Sequence, residues 1–443
     1  MNKNRIALDQ HLGIIYRLRT FGIRLGLETI NFLMQGLGNP QNRFSSIHIA
    51  GTNGKGSIAA MLSSVLSKSG FRVGLYTSPH LRRFNERIQI NGEPISDEKA
   101  IRVAETVQKI YTRSAPPTFF ECVTAMALYH FATEGVDWAV LETGMGGRLD
   151  ATNCVRPNLC IISNIHLDHQ EYLGQTLESI AREKAGIIKE GCPVITGVRQ
   201  KKPLSVIQDI AQKKSAPLYR LGKDFRVRRN GDGSFNYLGL DHRWSSIRVG
   251  LKGDHQVQNA SLVIAAVELL KRNGVTIPDA AIVDGLASTV WPGRLEIISK
   301  NPTILLDGAH NTSGIHALNK FLSTEFGQRP KIFVVGIMAD KPCSAMLNRL
   351  SPMADHLILT RPRNSRSADP KALYNLISQK TDKRVDIIFN LKQAIDRALE
   401  EAEADHLICI TGSLFTVGEA REYLINEIVN PVRVSHRGLN SAL

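Results

Sequence analysis

The chain has 443 residues, a length that favours two domains over a single hydrophobic core. With 43% hydrophobic and 22% charged residues, its composition is that of a globular protein and excludes a disordered or fibrous one. The formal net charge of +14 suits either nucleic acid or an enzyme with anionic substrates. The basic residues are scattered, and no zinc-finger or aromatic-basic RNA motif accompanies them, so nucleic acid is the weaker interpretation.

The cysteines and apolar segments indicate a protein of the cytoplasm. The 6 cysteines are widely spaced and form no C-x-x-C pair, which predicts reduced thiols. The N-terminus has no apolar signal-type region. The longest apolar stretch, around Leu262–Val267, is too short to span a bilayer. We therefore expect a cytoplasmic protein with no membrane and no nucleic acid partner, acting as a monomer on small molecules.

Helical spacing of apolar residues predicts two N-terminal helices, around Leu8–Ile15 and Leu27–Leu37. A possible phosphate cradle follows. Ile47–Ala50 has the pattern of a buried strand, Gly51–Gly56 that of a loop, and helical spacing begins at Ile58. Glycines and a helix N-terminus bind anions, and Lys55 and Ser57 would serve the terminal phosphates and a metal.

This stretch departs from the common G-x-x-x-x-G-K-[ST] spacing. Only two residues separate Gly51 from Gly54, and Gly56 lies between Lys55 and Ser57. An ordinary glycine-rich turn is the alternative interpretation. The strand and helix patterns on either side favour nucleotide binding.

Polar residues follow the next predicted strands. Because strands alternate with helices, we expect a mainly parallel sheet, whose ligands gather at the carboxyl ends of the strands. Ser78, Glu142 and His169 each come just after a strand, where they would act as metal ligands or as a general base. Taken singly, each is better explained as a turn residue, a helix cap or a hydrogen-bonded loop residue. Their shared placement favours a site. The strands are predicted at residues 72–77, 137–141 and 159–163.

The remaining chain predicts a second α/β unit. Asn230–Gly233 is typical of a β-hairpin turn, and a strongly apolar helix covers Ala260–Leu270. Asn259, just before that helix, could contact adenine or simply cap the helix. The Trp-Pro-Gly-Arg stretch at residues 291–294 breaks the pattern, so we place the domains at 1–295 and 296–443. The second domain has no phosphate loop, which predicts a nucleotide lying between domains, and the last residues are expected to form a flexible tail.

These segments together resemble the folylpolyglutamate synthase and dihydrofolate synthase family, within the Mur-type ATP-dependent amide ligases. The resemblance covers nearly the whole chain, and its strength lies in the order of the segments. The matching segments are Ala50–Ser57, Thr77–Leu81, Thr118–Glu121, Gly146–Asn153, Leu167–His169, Arg182–Gly186, His255–Asn259, Gly293–Glu296 and Leu306–Asn311.

The resemblance implies a fold, a reaction and its partners. The fold would be a P-loop-type, mainly parallel ATPase domain followed by a smaller Rossmann-like α/β domain. ATP would phosphorylate the carboxylate of a dihydropteroate or a reduced folate, and the amine of L-glutamate would attack the acyl phosphate. Both synthase activities are expected, with a monofunctional folylpolyglutamate synthase as the alternative.

The resemblance also implies roles for individual residues. Lys55, Lys184 and His169 would be catalytic. Two Mg²⁺ ions would be held by Ser78, Glu142, His169 and a carbamylated Lys184. ATP would be bound by Thr52, Asn53, Gly54, Lys55, Gly56, Ser57, Asn259, Arg294, Asp307 and His310. The acid substrate would meet Arg83, Thr118, Phe120, Glu121, Leu149, Asp150 and Ala151. Without the family match, Lys184 would be a solvated helix lysine.

Three rival functions are disfavoured. A cell-wall Mur ligase is expected to carry a further N-terminal domain ahead of the phosphate loop. A non-enzymatic nucleotide switch would not need Glu142, His169 and Lys184. A metallohydrolase built on His166, Asp168 and His169 would not need Lys55.

Overall fold

The computed structural model describes residues 13–429, apart from 14, 19–21, 23 and 113–115. Most of the first predicted helix and all of the predicted tail lie outside the described residues. The chain divides into two compact units: Met1–Gly250 with His255–Val290, and Leu251–Asp254 with Trp291–Leu443. No helix among the described residues is long and apolar enough to cross a bilayer.

The first unit is built on an 8-stranded sheet of order β4-β3-β2-β5-β1-β6-β7-β8. Pairing is parallel from β2 to β8, and only the β2–β3 and β3–β4 pairs are antiparallel. The central strands are buried, which explains their continuous apolar sequences. The strands are β1 Ser45–Ala50, β2 Val73–Tyr76, β3 Ile88–Ile90, β4 Glu93–Pro94, β5 Trp138–Glu142, β6 Leu159–Ile162, β7 Val194–Thr196 and β8 Leu218–Arg220.

The helices of this unit alternate with the strands as predicted, and the predicted helix at Leu27–Leu37 is confirmed within one residue at each end. They are α1 Glu28–Gly36, α2 Lys55–Lys68, α3 Asp97–Gln108, α4 Phe119–Thr133, α5 Gln170–Leu173, α6 Leu177–Ala185, α7 Lys201–Lys213, α8 Asp254–Arg272 and α9 Asp279–Ser288. The phosphate loop is shorter than predicted, because α2 already begins at Lys55.

A small antiparallel sheet, β11-β10-β9, completes the first unit and confirms the predicted hairpin. Its strands are β9 Arg226–Arg229, β10 Phe235–Leu238 and β11 Arg243–Ile247. The fully buried carboxylate of Glu268 on α8 secures the loop between β10 and β11. It accepts bonds from the Tyr237 hydroxyl at 2.6 Å and from the amides of Leu240, Asp241 and His242 at 2.9–3.0 Å.

The second unit has a 6-stranded sheet of order β12-β13-β17-β14-β15-β16, parallel except for the β12–β13 pair. Its mixed α/β character, with parallel-rich sheets in both units, confirms the predicted fold class. Sequence pattern missed β12. The strands are β12 Glu296–Lys300, β13 Thr303–Asp307, β14 Lys331–Val335, β15 His356–Arg361, β16 Arg384–Asn390 and β17 Leu407–Thr411, and the helices are α10 Thr312–Phe326, α11 Cys343–Leu350, α12 Pro370–Ile377, α13 Leu391–Glu401 and α14 Leu414–Leu424.

The contact between α2 and α9 offers a test of this packing. A Cβ on Gly285 of α9 would lie 2.7 Å from the backbone Cα of Val65 on α2. The Ser64 hydroxyl also donates to the Gly285 carbonyl at 2.8 Å. We expect Gly285→Ala to lower the free energy of unfolding by about 1–3 kcal/mol, because backbone atoms would have to move. Denaturant unfolding would measure this change.

The neighbouring exposed Asp284 supplies the control. Asp284→Ala should leave stability within about 0.5 kcal/mol of the wild type, as surface substitutions usually do. A Gly285→Ala protein as stable as the Asp284→Ala protein would contradict this close packing.

Candidate active site

The phosphate loop joins β1 to α2 and is shaped by two glycines in the left-handed region. Gly51 has φ 147° and Gly54 has φ 84°, and Gly54 is the N-cap of α2. Gly54 faces the side-chain amide of Asn259, where a Cβ at residue 54 would lie only 2.7 Å from the Asn259 Oδ1. A side chain at residue 54 would therefore be strained and would also collide, which explains glycine there.

A neighbouring loop after β6 braces the phosphate loop. The Asn164 side chain accepts from the Asn53 amide at 2.9 Å and donates to the Asn53 carbonyl at 2.9 Å. The Ser163 hydroxyl donates to the same carbonyl at 2.7 Å, and the Thr52 hydroxyl accepts from the His166 amide at 3.0 Å. Sequence reasoning assigns no role to Ser163 and Asn164, although the predicted strand ends at Ser163 and Asn164 directly follows it.

Two lysine amines meet at one carbonyl oxygen of this loop. Lys55 Nζ donates to the Gly51 carbonyl at 3.1 Å and Lys184 Nζ donates to it at 2.8 Å. Lys184 is only 4% exposed, so its interpretation as a solvated helix lysine is wrong. Burial, aided by the charge of Lys55, lowers the pKa of Lys184 from 10.5 to about 7.

Ser78 and Glu142 lie together at the ends of the adjacent strands β2 and β5. The Ser78 amide donates to Glu142 Oε2 at 3.1 Å, and the Glu142 carboxylate is buried. A carboxylate and a hydroxyl at this edge of the sheet are the hard oxygen ligands that Mg²⁺ prefers. This donor set therefore fits a divalent cation.

His169 is the N-cap residue of α5 and has a left-handed conformation, with φ 51°. Its amide donates to Asp168 Oδ1 at 3.0 Å, and its Nε2 lies 3.9 Å from the same oxygen. Asp168 in turn favours the charged form of Lys184 and so acts against the lowering of its pKa. The loop thus brings Asp168, which sequence reasoning considered only for a hydrolase, into the electrostatic surroundings of Lys184.

Two of the predicted substrate residues are engaged in a helix cap. Thr118 accepts from the Glu121 amide at 3.3 Å, and the Glu121 carboxylate accepts from the Thr118 amide at 2.7 Å, forming a capping box at the start of α4. Phe120 stacks at a tilt 6.0 Å from Tyr76. The guanidinium of Arg87 lies 5.3 Å from the Phe119 ring. This end of α4 is therefore an aromatic surface with a nearby cation.

The other predicted substrate segment, residues 149–151, is fixed by a chain of hydrogen bonds that begins at Asp150. Asp150 is buried and accepts from the Met145 amide at 2.8 Å and from the Thr152 amide at 3.0 Å. The Thr152 hydroxyl lies 2.5 Å from Asp150 and 2.7 Å from Nε2 of the buried His48. Burial raises the pKa of Asp150 and lowers the pKa of His48 to about 3. Leu149 of this segment is half-buried, and Ala151 is buried.

Arg83, another predicted substrate residue, forms an ion pair with Asp97, in which its guanidinium lies 2.9 Å from the carboxylate.

Asn259 lies in the second turn of α8 rather than before the helix, so its interpretation as a helix cap is wrong. Its amide nitrogen donates to Gln256 at 2.9 Å, and Gln256 donates to the Ser57 hydroxyl at 3.2 Å. These contacts connect Asn259 to the first turn of α2. The helix starts earlier than predicted because residues 254–259, all polar except Val257, form its first turns ahead of the apolar run.

In the second unit, Arg294, Asp307 and His310 lie around the end of β13. Asp307 accepts from the Leu295 amide at 3.0 Å and from the Ala309 amide at 3.1 Å. Arg294 donates to the Gly308 carbonyl at 3.4 Å, and His310 Nδ1 lies 2.9 Å from the same oxygen. Burial raises the pKa of Asp307, and the charge of Arg294 acts in the opposite direction.

Comparison with known proteins shows the family of this chain. Residues 49–267 match the Mur ligase middle domain, and residues 293–414 match the Mur ligase glutamate ligase domain. The dihydrofolate synthase/folylpolyglutamate synthase of Bacillus subtilis is 37% identical over 420 residues, covering 91% of this chain and 96% of that protein. The chain belongs to the folylpolyglutamate synthase and dihydrofolate synthase family of Mur ligases.

Solved structures of family members share the fold. E. coli FolC in complex with DHPP and ADP aligns with a TM-score of 0.86 at 30% identity, covering 94% of this chain and 97% of that one. The bifunctional enzyme of Yersinia pestis, complexed with AMPPNP and a Mn ion, has a TM-score of 0.86 at 29% identity and covers 95% and 98%. Those proteins bind nucleotides, and the Yersinia enzyme binds a divalent metal as well.

Gly54 and Gly70 form a matched pair for testing the phosphate loop of this family member. Both have φ near 90°, at 84° and 90°, but a Cβ on Gly70 would have nothing within 4 Å. Gly54→Ala should therefore lose most of its nucleotide affinity. Gly70→Ala should keep its nucleotide affinity, and its backbone strain should lower the free energy of unfolding by about 1 kcal/mol. Calorimetric titration with ADP would measure affinity. Equal ADP affinity in the two variants would contradict the contact with Asn259.

Proposed function

We propose that this chain is an ATP-dependent ligase that adds L-glutamate to dihydropteroate and to folylpolyglutamates, so that it is both a dihydrofolate synthase and a folylpolyglutamate synthase. The observation that carries this proposal is the phosphate loop with two lysines, beside a buried carboxylate, in a chain of this family. Such a site matches the chemistry of carboxylate activation. A carboxylate oxygen is a poor leaving group, and phosphorylation by ATP makes it a good one.

Lys55 would stabilise the phosphoryl group in transfer. Its amine is at the first turn of α2, where the helix N-terminus also favours negative charge. Phosphoryl transfer depends mainly on positioning and on positive charge against the oxygens of the γ-phosphate. Thr52, Asn53, Gly54, Gly56 and Ser57 would hold the phosphates, and Asn259 would contact the base.

Ser78 and Glu142 would hold a magnesium ion, as their oxygen donors and adjacent strand ends suggest. When bound, the ion supplies positive charge against the phosphates. His169 would serve a second ion, and its place beside Asp168 supports a cation site there. The number of ions and the identity of the metal are part of the proposal.

The acid substrate would lie against the aromatic surface at the start of α4. Phe120 and its neighbours offer stacking partners for a planar ring, and the loop of Leu149, Asp150 and Ala151 adjoins the phosphate loop through β1 and His48. Because Thr118 and Glu121 are occupied in the capping box, they would orient this surface. Arg83 would contact the substrate only after leaving Asp97.

Three residues of the second unit remain proposed ATP-binding residues. Arg294, Asp307 and His310 are clustered by two short loops and would offer a cation, a carboxylate and an imidazole to ATP. We keep the predicted domain limits of 1–295 and 296–443, and the predicted monomer in the cytoplasm, as parts of this proposal.

Lys184 would act as a carbamate. Its buried amine has a pKa near 7, so a large fraction is neutral at physiological pH, and only the neutral amine attacks CO₂. A carbon–nitrogen bond forms and a proton leaves, converting a cation into an oxygen ligand. Burial beside Lys55 favours this change, because a negative group there relieves the repulsion between two ammonium ions.

The first test asks whether glutamate ligation depends on the charge of Lys55. Lys55→Ala should reduce glutamate ligation by about 1000-fold or more, because charge on the transferred group is lost. Lys68, exposed in the last turn of the same helix, is the control, and Lys68→Ala should retain activity. Product analysis with ATP, glutamate and either dihydropteroate or a reduced folate would measure both synthase activities. Turnover of neither acceptor by the wild type would refute the proposed function.

The second test concerns the carbamate. After incubation with ¹³C-bicarbonate, the wild type should show a carbamate resonance that is absent in Lys184→Arg. The neutral amine increases as pH rises through the pKa of about 7, so the resonance should grow between about pH 6 and about pH 8. Lys189→Arg is the control and should keep the signal. A wild-type spectrum identical to that of Lys184→Arg would exclude carbamylation.

A further inference from the structure

A basic cavity of about 620 Å³ lies in the first unit, away from the residues assigned above. Four cations line it, Arg199, Arg220, Lys223 and Arg226, and no carboxylate is among its described lining residues. We define these four side chains as the basic cavity. Its volume is in the range of small-molecule sites.

Most of the charge in this cavity is uncompensated. Arg220 is 3.9 Å from Asp224, a weak ion pair. Arg199, Lys223 and Arg226 are exposed, and none of their side chains has an ion-pair or hydrogen-bond partner among the described residues. Like charges held in one concave surface repel one another and raise the local concentration of anions. The cavity is therefore suited to a ligand with several negative charges.

The sheet places this cavity on the same edge as the phosphate loop. β1, β6, β7 and β8 are successive parallel strands, and the cavity residues follow β7 and β8 just as the phosphate loop follows β1. Three strand spacings amount to about 14 Å. Gln200, next to Arg199, donates to the carbonyl of Ile165 at 2.9 Å, which connects the cavity to the loop that carries His169.

The spacing of the cations in the basic cavity favours some anionic ligands over others. The cations come from three separate segments, and the apolar side chains of Val198, Leu204, Leu221 and Val227 line the cavity with them. A single phosphate would leave most of these cations without a partner. Single-stranded nucleic acid is typically held by aromatic stacking partners, and none is among the described lining residues. A γ-glutamyl chain has carboxylates separated by methylene groups, which matches alternating charged and apolar contacts.

We propose that the basic cavity binds the inner carboxylates of the γ-glutamyl tail when the acceptor already carries several glutamates. This inference rests on the ligase function proposed above and specifies how that site accommodates long substrates. The terminal carboxylate must reach the phosphate loop whatever the tail length. In a long acceptor the inner carboxylates connect the ring to this terminus, so the ring cannot remain at the start of α4 while they occupy the cavity. The tail and ring of a long acceptor would instead leave the phosphate loop toward the cavity, on the same edge of the sheet.

The test compares acceptors that differ only in tail length. In the triple variant Arg199→Ala/Lys223→Ala/Arg226→Ala, kcat/KM for a tetraglutamate acceptor should fall at least about tenfold, the effect of losing about 1.4 kcal/mol of binding. The value for a monoglutamate acceptor should stay within about twofold of the wild type, since a monoglutamate does not reach the cavity. Arg228→Ala removes a charge from the same strand outside the cavity, and it should change neither value.

A binding measurement independent of turnover completes the test. Calorimetric titration with tetra-γ-glutamate, which lacks the ring system, should detect binding to the wild type and a weaker or undetectable interaction with the triple variant. Three results would each overturn binding of the tail in the basic cavity. They are an equal loss of kcat/KM for both acceptors, unchanged peptide binding in the triple variant, and displacement of the peptide by an equal concentration of inorganic phosphate. Wild-type turnover of the monoglutamate acceptor tests the ligase function by itself, so the two failures are distinguishable.

Discussion

The meeting of two lysine amines at the Gly51 carbonyl is the constraint on which this site depends. Lys55 comes from the start of α2 and Lys184 from the end of α6, so the two helices are held at one oxygen of the phosphate loop. Two ammonium groups at such short range repel each other, and burial adds a further cost to the charge of Lys184. The arrangement is favourable only when one amine loses its proton or when anions approach. The lowered pKa of Lys184 meets the first condition, and the proposed binding of phosphates would meet the second.

The strand order makes this meeting possible. β1 lies between β5 and β6, with β2 on the far side of β5, so the segments following these four strands converge at one edge. Glu142 and Ser78 reach that edge from β5 and β2, and Asn164 reaches it from β6. The loop after β6 then fixes the peptide of Asn53 from both sides. The cradle is thus rigid through contacts with its neighbours, although its own sequence is rich in glycine.

Sequence reasoning found the elements of this edge but not the bonds between them. Strands rich in apolar residues and the Gly-Lys loop have strong local patterns, so Ser78 and Glu142 could be assigned to strand ends, and Lys55 to the loop after a strand, from sequence alone. The burial of Lys184 could not be predicted in this way. Its helix is amphipathic, and sequence alone does not show that the phosphate loop packs over the face that carries Lys184. Thr118 and Glu121 have the spacing of a capping box, a local signal that sequence reasoning passed over in favour of the family role.

Asn164 and Asn259 illustrate a second limit. The apolar repeat begins at Ala260 and so predicts a helix that starts after Asn259, but the mostly polar residues ahead of the repeat form helix as well. Periodicity finds the buried face of a helix and not its polar first turns. Asn164 forms hydrogen bonds with a loop 111 residues earlier in the chain, and such a partner has no local signature.

The hydrogen bonds that join Asp150, Thr152 and His48 connect the buried strand β1 to the segment around Asp150. Asp150 accepts two amide bonds, so the single hydrogen of the Thr152 hydroxyl is directed to it and the Thr152 oxygen must accept from His48. With a pKa near 3, His48 is neutral, and its one N–H is therefore at Nε2. His48 lies on β1, two residues before the strand ends and three before Gly51. The same strand thus sets the position of the phosphate loop at its end and of the Asp150 segment along its side, so these two segments are fixed relative to each other.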